Sequence, residues 1–377
     1  MKRIGYLYDE ILNKDRIKQI IKLASIGKTK RGEVVRVLDN IDYYTDKIYE
    51  MLANDNYYML PYHNKTIMEK GKLRELTISP FYPNRILDYI IVETLKPHIR
   101  KGMYEYCVGN VDKRGMVYGK KVIAKKYHKY KYYIKLDIHK FYPSVNSNDL
   151  FTFIESKIKD KRFLQLVKCV ITQTEDLPIG SYYSQWFSNW YLQDLDHYIK
   201  ERLDAPFYIR YVDDMLIMSN NKRQLINIMN GIDEFLKTKG LSLKRKEQVR
   251  LTSHQPIDYL GFRFTERRIV LRYINFKRLN KRLKKIRKTK HISVKQARGL
   301  ISYIGWLKQI KCGYQYYINK IKPIIKLGTL KKIISNYDKN KLYLPTQPIW
   351  LPNDSILGKS LWYRYRSKPY ITIPIRA

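Results

Sequence analysis

The chain reads as an α+β protein, and three observations carry that reading. Segments of helical period are interleaved with short runs rich in β-branched and aromatic residues. Those runs return as hairpins rather than as regular strand–helix–strand units. No internal repeat or low-complexity tract competes with this order.

Residues 1–30 are basic and amphipathic and predict helix. Residues 57–79 alternate in places like strands around a turn at "EKGK". From Pro83 to Lys101 the spacing predicts a helix that buries Ile86, Ile90 and Leu95. "KYYIKLDI", 131–138, predicts a strand, and "DLFTFIESKI" and "KRFLQLVKCVIT" predict helices. "SYYSQWFSNWYLQDLDHYIKERL", 181–203, predicts one long helix. "FYIRYVDDMLIMS", 207–219, predicts a tight hairpin, followed by a helix over 222–240 that stops at Gly240. Short strands are expected near 249–252, 258–264 and 268–272.

Beyond Tyr273 the character changes. Phe276, Leu279, Leu283 and Ile286 form one helical stripe, and nine Lys/Arg lie within 277–290, mostly on the opposite face. Ser293 is placed to cap a second helix. The expected division is 1–130, 131–272, a small helical domain at 273–326, and an extension at 327–377 whose sequence matches nothing familiar.

Charge narrows the partner. Of 377 residues, 74 are Lys or Arg and 34 are Asp or Glu, a formal net charge of +40. Such an excess calls for a polyanion, either nucleic acid or an anionic membrane. No apolar run approaches the roughly 20 residues that span a bilayer, and the N-terminus lacks an apolar signal region, so nucleic acid is the expected partner and membrane is not. Cys107, Cys169 and Cys312 are scattered without metal-ligand spacing, which suits a reducing cytoplasm. The 35 tyrosines suit stacking on bases, although any single one is more simply read as half-buried core.

Asp213 and Asp214 stand side by side at the hairpin tip. Two like charges there are cheap in open water, or else they hold a cation with help from elsewhere. The best helper is Asp137, a charged residue closing an apolar strand. Nucleotidyl transfer uses two divalent ions about 3.5–4 Å apart, and carboxylates on adjacent strands can bridge both.

A series of motifs then resembles the reverse transcriptases. "YVDD" between apolar strands is similar to their signature hairpin, and "KLDIHKFYPSV" to their first palm motif. "LPIGSYYSQWFSNWYL", 177–192, resembles the motif beneath template and nucleotide. "GLSLKRKEQV", 240–249, resembles the motif that follows, and "DYLGFRF", 258–264, the primer grip. "KLRELTISPFYPNRILDYII", 72–91, resembles the fingers, and "VGNVDKRGMVYGKK", 108–121, a template-side insertion of bacterial members. The motifs fall in family order over roughly 60–265.

The resemblance implies a right-hand polymerase with N-terminal helix and fingers at 1–130, palm at 131–272 with its helices at 147–203, and thumb at 273–326. It implies two Mg²⁺, for which Mn²⁺ can substitute, held by Asp137, Asp213, Asp214 and the Ile138 carbonyl. Lys72 and Arg74 would hold the triphosphate, and Tyr142 would exclude a ribose 2′-hydroxyl, with Phe141 as the competing ring. Gly180 would let backbone approach the nucleotide, and Ser184 and Gln185 would face the template or forming pair. Lys246 would act as general acid for pyrophosphate, and Gly261 would shape the primer grip. Lys281, Arg282, Lys285 and Lys288 on the basic helix would grip phosphates.

The expected activity is RNA-directed DNA synthesis from dNTPs on a structured cognate RNA, giving a cDNA/RNA duplex, with room for an accessory protein or self-association. "IGSYYSQ" with "RYVDDMLIM" is closest in form to diversity-generating retroelement enzymes, with phage-defence reverse transcriptases as the alternative. A non-catalytic RNA-binding protein with a polymerase fold is the rival from another class; the intact Asp137/Asp213/Asp214 set opposes it. An RNA-dependent RNA polymerase is opposed by Tyr142 and by "YVDD" in place of a Gly-Asp-Asp turn.

Overall fold

The computed structural model describes residues 3–69, 72–245, 247–289 and 292–342. They form two compact units: the described chain up to Leu260 with Phe264–Glu266, and Gly261–Arg263 with the described chain from Arg267 to Leu342. Helices and antiparallel sheets are mixed, as an α+β chain requires. Among the described residues no helix is long and apolar enough to cross a membrane.

The first unit opens with helices α1 (Leu7–Ile11), α2 (Lys14–Ser25), α3 (Gly32–Asp39) and α4 (Ile41–Ala53). The Asn13 side chain caps α2 by accepting from the Arg16 N–H at 2.9 Å. An antiparallel ribbon follows, β1 (His63–Glu69) paired with β2 (Lys72–Ile78), with Glu69 opposite Lys72. Helix α5 (Ile86–Lys101) buries Ile86, Ile90 and Leu95, the stripe its spacing predicts, and packs against α2. Helix α6 (Met116–Lys126) leads into β3 (Tyr132–Asp137), then α7 (Phe141–Ser144), α8 (Ser147–Lys157) and α9 (Lys161–Ile171).

The 181–203 segment is not one helix. It divides into α10 (Tyr182–Tyr191), α11 (Gln193–His197) and a wider turn over Tyr198–Arg202. Leu192 breaks it, with φ −91° and ψ 1°, a turn geometry that apolar periodicity does not encode.

The hairpin is β4 (Phe207–Tyr211) and β5 (Asp214–Ser219), followed by α12 (Lys222–Lys237), which packs on β3 and β5. Gly240 takes φ +67° just beyond α12, a conformation open to glycine. With the two-residue edge strand β6 (Arg250–Leu251) the central sheet has the order β4-β5-β3-β6. Every residue of β4 but the last is buried, and every residue of β5 but the first, so this hairpin is covered on both faces and its exposed end is the end that carries the acids.

Residues 258–264 form a hairpin rather than one strand: β7 (Ile257–Tyr259) turns through Leu260 and Gly261 into β8 (Phe262–Phe264). Both turn residues have positive φ, +50° and +79°, the geometry of a two-residue hairpin loop. With β9 (Ile269–Leu271) they make a three-stranded sheet of order β7-β8-β9.

The second unit continues with α13 (Tyr273–Thr289), α14 (Val294–Leu307), α15 (Gly313–Tyr316) and α16 (Leu327–Leu342). Leu279, Leu283 and Ile286 are buried as the stripe requires, while Phe276 is half-buried, edge-on to Tyr316. Ser293 caps α14 as expected, and Gln296 reciprocates to complete a capping box. Of the 327–377 extension, α16 packs on α14; residues 343–377 lie outside the described residues.

Candidate active site

The acids meet because the register brings them together. Asp137, last residue of β3, is directly opposite Asp214, first residue of β5. Tyr211 is opposite Asp214 across the hairpin, so Val212 and Asp213 form a two-residue loop. Asp213 therefore sits at the tip, beside Asp137.

Val212 has φ +59° and is only 6% exposed. Such loops favour glycine or asparagine, and a β-branched residue there stores on the order of 1–3 kcal/mol. A buried network holds it in place. Arg210 donates Nη1 to the Val212 carbonyl at 2.8 Å and to Asn189 Oδ1 at 3.0 Å. Its Nε and Nη2 grip both oxygens of Asp196, at 2.7 and 2.5 Å, and the Tyr208 hydroxyl donates to Asp196 Oδ1 at 2.7 Å. Arg210 and Asp196 have side chains 0% and 1% exposed. Asn189 also donates to the Gly109 carbonyl at 2.7 Å. A Cβ on Gly109 would lie 2.5 Å from the Val212 nitrogen, so the turn rests directly on glycine backbone.

Charge is crowded at the tip. Burial, and then the nearby Asp137 carboxylate, push the Asp213 carboxyl up to about 6. Asp137 is met by Lys244, whose Nζ lies 2.5 Å from its Oδ2. That hydrogen bond, and then the Asp137 charge, raise the lysine above its ordinary value. Lys244 reaches the site because 242–244 runs antiparallel beside 137–139. The Lys244 N–H donates to the Asp137 carbonyl at 2.8 Å, and the His139 N–H to the Ser242 carbonyl at 2.9 Å. These two bonds flank the Ile138–Leu243 pair, so the Ile138 carbonyl lies outside this ladder.

The donor set of three carboxylates and a backbone carbonyl is all oxygen, the set a hard divalent cation takes. By donor type the residues fit such an ion, although among the described residues no group of three or more His, Cys, Asp or Glu side chains is arranged to hold a metal ion.

The other expected residues are placed as follows. Phe141 is 2% exposed and belongs to the core, whereas Tyr142 is half-buried and Asp213 is among the charges acting on its hydroxyl. Gly180 has φ +127°, and a Cβ there would lie 2.7 Å from the Thr77 carbonyl. The Thr77 N–H donates to the Ile179 carbonyl at 3.0 Å, so this glycine is required by the β2 backbone and not only by an approaching nucleotide. Gln185 is half-buried in the first turns of α10.

Ser184, expected at the template or forming pair, is instead 0% exposed, on the face of α10 that also buries Tyr183 and Phe187. Arg74 is exposed on β2. For Lys72 only the backbone position is described, and Lys246 lies outside the described residues.

In the second unit, Gly261 supports the hairpin turn, and a Cβ there would strike the Trp306 ring at 2.2 Å. Lys281, Lys285 and Lys288 are exposed on α13. Arg282 is not on that open face: it lies over Tyr303 at 5.7 Å and against Gly299, where a Cβ would meet its guanidinium.

Two features were missed in the sequence. The sequence assigns Lys244, two residues before Lys246 in the same basic run, no role; strand alternation from Leu243, which faces the core, does not predict its partner. The Arg210–Asp196 pair is 14 residues apart with no helical or strand spacing to mark it.

The family model described as reverse transcriptase (RNA-dependent DNA polymerase) matches residues 63–264. The retron Ec73 reverse transcriptase of Escherichia coli is 32% identical over 131 residues, which cover 31% of this chain. The match spans 41% of that relative's length, less than half of it.

Proposed function

The chain belongs to the reverse transcriptase family, and from that premise we propose that it synthesises cDNA from dNTPs on a structured cognate RNA. The single observation that carries this reading is the Asp137–Asp214 register, with Asp213 at the adjoining tip. Two Mg²⁺ held by Asp137, Asp213, Asp214 and the Ile138 carbonyl would supply an activated primer hydroxyl and charge neutralisation at the pyrophosphate. The chain's own residues supply the rest. Arg210 and Gly109 fix the turn, so Asp213 needs no reorganisation when substrate binds. Arg74 and Lys72, on the ribbon strand joined to the Gly180 loop, would receive the triphosphate. Tyr142 bounds the sugar side. Separate supply of dNTPs and NTPs on a primed RNA template tests the reading: incorporation of NTPs alone would overturn it.

Tyr142→Ala is expected to raise ribonucleotide use relative to deoxyribonucleotide use by about ten- to a hundredfold, since it opens space where a 2′-hydroxyl clashes. Competition between dNTP and NTP in single-nucleotide extension measures it. A shift with Phe141→Ala alone would reassign the gate.

The exposed lysines of α13 are proposed to hold phosphates without reading sequence. Neutralising Lys281, Lys285 and Lys288 together is expected to weaken all RNAs alike and to flatten the log–log salt slope by about 0.9 per lost duplex contact. Filter binding across a salt series reads both.

The forms "IGSYYSQ" and "RYVDDMLIM" support a role in a diversity-generating retroelement. The likeness to a retron enzyme supports a second reading, a retron-like element or one acting in phage defence. Sequencing RNA that co-purifies with the protein, and locating its gene, separates these readings. A random sample of cellular RNA would overturn selection of a cognate template.

A further inference from the structure

Lys244 has no assigned role in this site, yet its ammonium lies on one of the carboxylates proposed to hold metal. The contact is 2.5 Å, to Asp137 Oδ2, and Asp213 and Asp214 also act on the same charge. The lysine backbone cannot drift away, because its N–H is hydrogen-bonded to the carbonyl of Asp137 itself. Its side chain can, because it is 51% exposed and carries four flexible carbons.

We infer that Lys244 is a tethered counter-cation: it neutralises Asp137 and opposes a divalent ion there until its ammonium swings to another anion. This rests on the reading of the site as a metal-holding carboxylate centre. The physical case is competition for one carboxylate's charge. An ammonium at hydrogen-bond distance from Asp137 Oδ2 neutralises that carboxylate and repels a divalent ion brought to it. Whatever the lysine contributes to the resting site is therefore subtracted from metal affinity.

The consequence is a protein that holds metal weakly until the lysine has another anion to meet. A nucleoside triphosphate is such an anion, and it brings its own metal. Lys244 thereby favours joint arrival of ion and nucleotide over occupation of the free site.

The test uses the full chain without nucleic acid, with Mn²⁺ alone as probe, followed by isothermal titration and by the electron paramagnetic resonance signal of unbound Mn²⁺. Lys244→Met keeps the stem and removes the charge. It is expected to tighten Mn²⁺ binding by about tenfold, as loss of a competing charge at contact distance implies. Lys244→Arg should leave binding weak. The Mg²⁺ concentration for half-maximal incorporation should fall in the Met variant and not in the Arg variant. Unchanged or weaker Mn²⁺ binding by Lys244→Met, with a wild-type circular dichroism melt, overturns the inference. Asp137→Asn separates the two levels. If it abolishes Mn²⁺ binding while Lys244→Met changes nothing, only the lysine's role is lost. If Asp137→Asn leaves binding untouched, the carboxylate reading falls and the inference with it.

Discussion

Asp213→Asn is expected to lower dNTP incorporation by about 10³-fold or more and, at neutral pH, to make the protein more stable by about 1–3 kcal/mol. The loss follows from removing a charge proposed to hold metal at the hairpin tip. The gain follows from linkage. The Asp213 carboxyl stands at about 6 in the fold, above its unfolded value near 4. Below pH ~4 it is protonated in both states and costs nothing. As pH rises through about 6 it must ionise while buried beside Asp137, and the wild type loses that stability. The amide never ionises. Urea unfolding should therefore show the two proteins converging near pH ~4, separating as pH rises from about 4 to about 6, and holding a constant difference above that. A variant less stable than wild type at pH 7.5, or one that still incorporates nucleotides at a near-normal rate, contradicts the assignment.

Arg210→Met should be the most damaging substitution away from the acids, costing about 3–5 kcal/mol, because it strands Asp196 in a dry interior. The double variant Arg210→Met with Asp196→Leu should recover most of that stability, since no buried charge is left. It should not recover incorporation. The Val212 carbonyl still lacks its donor, and the strained turn is free to relax away from the geometry that presents Asp213. Urea midpoints and single-turnover rates on the same samples read the two effects apart. Full recovery of rate in the double variant would mean that Arg210 serves the fold alone.

Local patterns carried much of this site. The apolar run "KYYIKLD", the hairpin around Val212–Asp213 and the stop at Gly240 each express a chemical rule confined to a few residues, and each lies where the spacing predicts. The stripe on α13 and the cap at Ser293 are equally local. What escaped depends on partners distant in the chain. Ser184 reads as a polar residue at a helix start, but the face it occupies is set by how α10 packs on α5. Arg210 looks like a charge interrupting a strand until Asp196 and Asn189 supply its partners. Lys244 and Lys246 cannot be ranked without knowing that 242–244 lies beside 137–139. The break at Leu192 and the turn at Leu260 are backbone events that a hydrophobic pattern passes over.

The seating of Gly180 against Thr77 gives the β1–β2 ribbon a pivot. Inward of Thr77 the strand is fastened by the Ile179 hydrogen bond and has no clearance for even a methyl group. Outward of it the ribbon is paired along its length only to itself, and Met68 and Leu73 are 66% and 71% exposed. From Thr77 to Lys72 is five residues, a lever arm of about 17 Å at strand rise. A rocking of only ~10° about that fulcrum carries the ribbon's outer end through about 3 Å, roughly one hydrogen-bond length. On the proposed function, the span over which Arg74 would follow a nucleotide is thus set by where one glycine clamps the strand.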